Sequence, residues 1–419
     1  MPTAGIEAMN VFGGTACLDV MKLAAHRGLD TARFENLLMK GKAVALPCED
    51  PVTFAVNAAK PVIDAMTPED RSRIELLITC TESGIDFGKS MSTYIHDQLG
   101  LDRHCRLFEI KQACYAATAG LQMALGFILS QASPGAKALV VATDISRFLV
   151  AEGGDALSED WSYAEPSSGA GAVALLVSDK PHVFEVDVGA NGYYGYEVMD
   201  TCRPVVDSEA GDADLSLLSY LDCCEQTFLE YQRRVEGADY RETFQYLSYH
   251  TPFGGMVKGA HRNMMRKLAK ASPPQIEEDF RRRVLPGLDF CQQIGNVMGG
   301  TLFVSLASTI CNGDFSTPKR IGCFSYGSGC CSEFFSGVVT ADGARRMKSM
   351  NIAANLDRRH GLSIEEYEDL LHRGREVRFG TRNVRLDLDD IPGLGETRRY
   401  GPRLVLSEIR EFHRCYEWR

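Results

Sequence analysis

The segment IKQACYAATAGLQMALGFIL, residues 110–129, places Cys114 among very small residues where an apolar helix begins. A strand-like run, RLFEIKQA, leads into it, so the thiol falls at a helix N-terminus, where unpaired N–H groups and the helix dipole favour the nucleophilic thiolate. Ala113, Ala116, Ala117, Ala119 and Gly120 leave room for an acyl chain and for the Cys114 N–H to approach the sulfur. The same segment also fits a buried cysteine opening a tightly packed helix. His250 follows a short apolar stretch and precedes Thr251-Pro252, which stops helix formation and sets the imidazole at a strand end or loop, a fair partner for a thiol. Glu82 ends the apolar strand of LLITCTESGIDFGKS beside Gly84, a place for a general base if burial raises its pKa, or for a cap or salt bridge. Gly327-Ser328-Gly329 can aim backbone N–H groups at an oxyanion, and Asn296, in a glycine-bounded turn, can hydrogen-bond a carbonyl.

These residues need a scaffold, and the chain patterns as α/β. Short apolar runs (Ile74 to Thr79, Ala138 to Ala142, Ala172 to Val177, Arg320 to Ser325) alternate with helical patterns (Pro51 to Lys60, Ala116 to Gln131, Leu215 to Arg234, Gly300 to Ile310). ACYAATAGLQMALGFILS followed by AKALVVATDIS resembles GNVMGGTLFVSLASTI followed by KRIGCFSYGSG, which implies a duplicated unit whose two turns face each other at one site. No Pro/Ser-rich linker divides the 419 residues, so the halves form one body. In the arginine-rich tail, LSIEEYEDLL reads as a short helix capped by Ser363, on solvated surface.

Composition excludes several classes. A net charge of −11 argues against a general nucleic-acid binder. No leader precedes Met9 and no apolar run is long enough for a bilayer, so the expected location is cytoplasmic. The 14 cysteines are scattered without a C-x-x-C, so no metal site is expected and most should be small buried hydrophobes.

Taken in order, GIEAMNVFGG, TESGIDFGKS, QACYAATAGLQ, SSGAGAVALLV, YHTPFGGMVKGAHR, IGNVMGGTLF and FSYGSG resemble the 3-hydroxy-3-methylglutaryl-CoA synthases of the thiolase superfamily, over nearly the whole chain. The resemblance implies a thiolase-like layered α/β/α/β/α fold of two halves, 1–180 carrying Glu82 and Cys114, and 181–419 carrying His250, Asn296 and Ser328. It implies Cys114 as acyl-accepting nucleophile, Glu82 as acid/base and His250 as the group positioning the second substrate's carbonyl. Asn296, Ser328, Asp144, Ser167 and Asp200 are the implied substrate-binding positions. No tightly bound cofactor is implied, and a homodimer is. Where the CoA-using branch carries a lysine shortly after the histidine, this chain has Gly254-Gly255, with the next lysine at Lys258, and Arg147 to Glu165 looks longer than its counterpart. These features resemble the polyketide β-branching synthases, which take acyl groups from the phosphopantetheine of donor and acceptor acyl carrier proteins. If the segment after Met256 is helical, Lys258, Arg262, Arg266 and Lys270, with Lys267 beside them, form a basic stripe suited to acidic carrier helices.

Other readings remain at this level: a CoA-dependent synthase of primary metabolism, a decarboxylating ketosynthase III-like enzyme, a non-catalytic carrier-binding module, and a thiol redox sensor. A decarboxylating enzyme needs no base at Glu82, a scaffold has no use for all three groups, and a sensor needs a thiol placed to resolve Cys114.

Overall fold

A computed structural model describes residues 3–146, 164–205, 208–397 and 400–419. Most of Arg147 to Glu165, the segment that looked extended, lies outside them. The described chain is built on a nine-stranded mixed sheet. Its strands are β1 (Gly5–Phe12), β2 (Ile74–Cys80), β3 (Arg106–Ile110), β4 (Lys137–Ile145), β5 (Ala170–Ser178), β6 (Phe184–Gly195), β7 (Tyr246–Tyr249), β8 (Lys319–Gly327) and β9 (Cys331–Val339). They lie in the order β7-β8-β9-β6-β1-β5-β4-β2-β3. Every residue of β4 and β5 is buried, which accounts for their unbroken apolar runs: a strand covered on both faces has no reason to alternate.

The order contains the duplication. β4 runs parallel to β2 and antiparallel to β5, which is antiparallel to β1. β8 likewise runs parallel to β7 and antiparallel to β9, which is antiparallel to β6. The halves join where β1 meets β6, through Gly5 opposite Glu185 and Ile6 opposite Phe184. β3, which feeds Cys114, has its second-half counterpart replaced by the short helix Asp289–Ile294, which feeds Asn296.

Helices cover the sheet. The helices used below are α1 (Thr31–Leu37), α2 (Pro51–Asp64), α3 (Ala116–Leu129), α4 (Ala213–Arg234), α5 (Gly254–Leu268), α6 (Thr301–Asn312) and α7 (Ile364–Arg373). α2 begins where Asp50 and Thr53 cap each other, with Pro51 in the first turn, whose missing N–H costs nothing there. α3 packs on β4 and β2, and α6 packs on β7, and both sit in the larger of the apolar cores.

Two expectations need correction. The tail is not simply solvated surface. Ser363 caps α7 as expected, but Tyr367 and Leu370 are buried against Leu18 and Val44, and Arg414 forms a buried ion pair with Asp50 at 3.0 Å. The basic stripe is also shorter: α5 ends at Leu268, and Lys270 follows in left-handed backbone at φ 50°, off the helical face. Among the described residues no helix is long and apolar enough to cross a membrane, and no cluster of His, Cys, Asp or Glu could hold a metal ion.

Candidate active site

The two turns implied by the duplication, at Cys114 and at GNVMGG, meet: a Cβ on Gly299 would lie 3.1 Å from the Ala117 nitrogen and 3.5 Å from the Cys114 carbonyl oxygen. β3 ends at Ile110, the chain passes through Ala113 in left-handed backbone (φ 43°), and α3 starts at Ala116, so Cys114 stands at the mouth of a sharp strand-to-helix turn. On the other side, β8 ends at Gly327. A Cβ there would lie 2.5 Å from the Tyr115 nitrogen and 2.9 Å from the Gln112 carbonyl oxygen, so only glycine lets the Ser328 turn press against the cysteine turn. Small residues around Cys114 therefore serve this closeness of backbones as well as substrate access.

Cys114, Glu82, His250, Asn296, Ser328 and Ser167 all line one cavity of about 560 Å³. The Cys114 thiol lies 3.3 Å from Glu82 Oε1 and 3.9 Å from the Met298 sulfur. A thioether cannot resolve a sulfenic acid, and among the described residues the close thiol pair is elsewhere, Cys223 and Cys330 at 3.6 Å, which weighs against a redox sensor.

His250 follows β7 directly. Its N–H donates to the Phe324 carbonyl at 2.8 Å and its carbonyl accepts from the Tyr220 hydroxyl at 2.7 Å. The ring is buried, which pushes its pKa down to about 3, and Nδ1 has no hydrogen-bond partner among the described residues. The imidazole is therefore neutral at neutral pH and able to donate one hydrogen bond into the cavity. Asn296 is pinned by its backbone, its N–H donating to Ser167 at 2.8 Å and its carbonyl accepting from Gly169 at 2.9 Å. Its Oδ1 accepts from the Met298 N–H at 3.0 Å and the Thr301 hydroxyl at 2.9 Å, an assignment that leaves the side-chain NH₂ to donate. The Ser167 hydroxyl donates to the Ala164 carbonyl at 3.1 Å.

Asp144 and Asp200 do not line the cavity; both are buried behind it. Asp144 Oδ1 accepts from the Glu82 N–H at 2.8 Å, the Ser83 N–H at 3.0 Å, and the Thr81 and Ser83 hydroxyls, so it fastens the turn carrying Glu82. Burial, and after it the nearby charge of Glu82, hold the Asp144 carboxyl well above the usual carboxylate range. Asp200 accepts from the Tyr326 hydroxyl at 2.5 Å and the Gly329 N–H at 2.9 Å, shaping the Ser328 turn. Their distance from substrate space replaces the substrate contacts expected for them with positioning.

Other residues were missed from the sequence. Arg203 borders the cavity and donates to the Glu82 carbonyl at 3.2 Å. Buried Glu333 accepts from the Tyr115 hydroxyl and Gln122, both at 2.7 Å, tying β9 to the cysteine turn. A carboxylate inside the otherwise uncharged strand CSEFFSGVV was the available signal for Glu333; Arg203 had none.

The sequence profile of the hydroxymethylglutaryl-coenzyme A synthase N-terminal region matches residues 2–182, and that of the C-terminal region matches residues 260–400. The chain belongs to this family. It is 72% identical over 418 residues, the full length of both chains, to the polyketide biosynthesis 3-hydroxy-3-methylglutaryl-ACP synthase PksG of Bacillus subtilis. It is 33% identical to the hydroxymethylglutaryl-CoA synthase of Enterococcus faecalis, covering 87% of this chain and 91% of that one. Among solved structures, the HMG synthase of the curacin biosynthetic pathway in complex with holo donor-ACP matches with a TM-score of 0.96 at 67% identity, covering both chains fully. MvaS in complex with 3-hydroxy-3-methylglutaryl coenzyme A matches at 0.84 and 31%, covering 100% of this chain and 99% of that one. The fold is thus the thiolase-like α/β fold of these synthases, and the protein is a C–C bond-forming acyltransferase of the hydroxymethylglutaryl synthase type.

Proposed function

We propose that this protein is the synthase of a polyketide β-branching pathway, taking acetyl from a donor acyl carrier protein and adding it to a β-ketoacyl group held on an acceptor carrier protein. The observation that carries the chemistry is the 3.3 Å contact of Cys114 with Glu82 in a cavity that His250 and Asn296 face from the other half. Cys114 attacks the donor thioester, the phosphopantetheine thiol leaves, and backbone N–H groups of the Cys114 and Ser328 turns hold the oxyanion. Glu82 then removes a methyl proton from acetyl-Cys114. The enolate attacks the ketone, polarised by neutral His250 and the Asn296 amide, and Glu82 returns its proton to the new alkoxide. Water finally cleaves the Cys114 thioester, releasing a 3-hydroxy-3-methylglutaryl-type product on the acceptor carrier. The two halves, 1–180 and 181–419, act as one fused catalytic unit, in a homodimer, and no resident cofactor takes part.

Preference for carrier proteins over CoA is supported by the relatives named above and by the surface beside the cavity. α1 and α5 wall both the cavity, through Leu37 and Met256, and a neighbouring groove of about 540 Å³ lined by Lys258, Arg262 and Arg266. Lys258 pairs with Glu277 at 3.0 Å and Lys267 with Glu225, whereas among the described residues Arg262 and Arg266 are exposed and outside any ion pair. These two arginines are the ones we assign to docking acidic carrier helices.

Replacing Glu82→Gln tests the division of labour. The variant should still accept acetyl on Cys114 but form the C–C bond about 10² to 10⁴ times more slowly, as expected for loss of a general base. Equal losses in acetylation and condensation, followed by mass spectrometry, would remove Glu82 from the role of base.

A further inference from the structure

Glu82 borders a second cavity as well. This one, of about 340 Å³, meets the first at Glu82, Lys111 and Arg203, and otherwise has its own walls. Thr81, Asp50 and Arg414, all buried, form its polar interior, and the exposed Asp86 and Phe87 stand at its rim, so it runs from solvent to the base. Phe87 packs against Phe379 with ring centroids 4.7 Å apart and planes tilted by 54°, narrowing the entrance. A space of this size, with the polar groups of Asp50, Thr81, Glu82 and Arg414 in its mixed wall, holds several waters, since one needs only about 10–15 Å³.

The proposed reaction, on which this inference rests, gives such a space a task. After C–C bond formation the product is bound at both ends, to Cys114 by one thioester and to the acceptor's phosphopantetheine by the other. The arm then fills the cavity through which it entered, yet the next step consumes water. We infer that the second cavity is the water inlet for this step, delivering the hydrolytic water to Glu82 from the Phe87 side. At that point Glu82 has returned its proton and is an anion 3.3 Å from the sulfur. It takes a proton from the water as the oxygen bonds to the thioester carbon. The C–S bond breaks, the sulfur leaves as thiolate, and Glu82 passes the proton to it.

The inlet can be narrowed and widened without touching the reacting groups. Ile85→Trp puts bulk into the cavity wall, and Phe379→Ala removes one of the two packed rings at its rim. Intact-protein mass spectrometry would follow acetylation of Cys114, appearance of the enzyme–product–carrier adduct, and its decay. With Ile85→Trp we expect acetylation and condensation within twofold of wild type and hydrolysis slowed at least tenfold, so that the adduct accumulates. With Phe379→Ala, the enzyme–product–carrier adduct should decay at least twofold faster. Unchanged hydrolysis in either folded variant, or a parallel fall of all three steps in Ile85→Trp, would overturn the inlet. A wild-type enzyme that never acetylates Cys114 would instead overturn the underlying reaction.

Discussion

At the scale of single residues, the proposed reaction depends on keeping a base apart from a hydrogen-bond donor. Glu82 touches the thiol, and His250, across the cavity, is kept neutral by burial. That burial has a measurable consequence. With a folded pKa near 3 against an ordinary 6.5, His250 takes up a proton only on unfolding anywhere between those values. Stability from this group is complete above about pH 6.5 and falls as pH drops through the window, by up to about 1.4 kcal/mol per pH unit. His250→Asn should therefore lose less stability than wild type between pH 7 and pH 5, read from urea midpoints; equal losses would show that the ring is not held neutral. Cys114, Glu82, His250, Asn296 and Ser328 were legible in the sequence because each stands where an apolar run breaks. Asp144 and Asp200 were legible as residues but not as roles, because whether a carboxylate faces substrate or braces a turn depends on a neighbouring strand.

Elements set the precision of the site. Gly327 lets the end of β8 contact the Cys114 turn, so Gly327→Ala should cost about 1–3 kcal/mol through overpacking and slow acetyl transfer by separating the two turns. Normal stability with normal acetylation would show that the contact is loose. α5 has a comparable constraint, because a Cβ at Gly255 would lie 2.8 Å from the Asn36 carbonyl oxygen at α1. The Gly254-Gly255 pair noted in the sequence thus lets α5 lie close to α1, with the arginines beside the cavity mouth. Arg266→Glu is expected to slow acetyl transfer from carrier protein at least tenfold while leaving a small thioester donor unaffected, since the exposed charge acts on encounter and orientation. Equal losses with both donors would make the arginine structural. Helical spacing placed Lys258, Arg262 and Arg266 together on α5; it overran at Lys270 because residue spacing does not reveal where a helix ends.

At the scale of the whole molecule, duplication explains why one cavity receives groups from distant parts of the chain. Each half carries a strand order built the same way, and β3 in one half and the Asp289–Ile294 helix in the other deliver Cys114 and Asn296 to the shared space. The repeat was readable as similar helix–strand pairs. The tail was not, since a charged helix with a narrow apolar face reads as surface until the strands it covers are known. The tail even reaches the second cavity, through Val377, Phe379 and Arg414. The central claim is that Cys114 accepts acetyl from a carrier protein. It is tested most directly by mixing wild type and Cys114→Ser, in parallel, with acetyl-loaded carrier protein and with acetyl-CoA, and weighing the intact proteins. An acetyl adduct on wild type alone, formed much faster from the carrier, is the predicted result. Faster loading from CoA would contradict the carrier assignment, and no adduct from either donor would contradict the nucleophile itself.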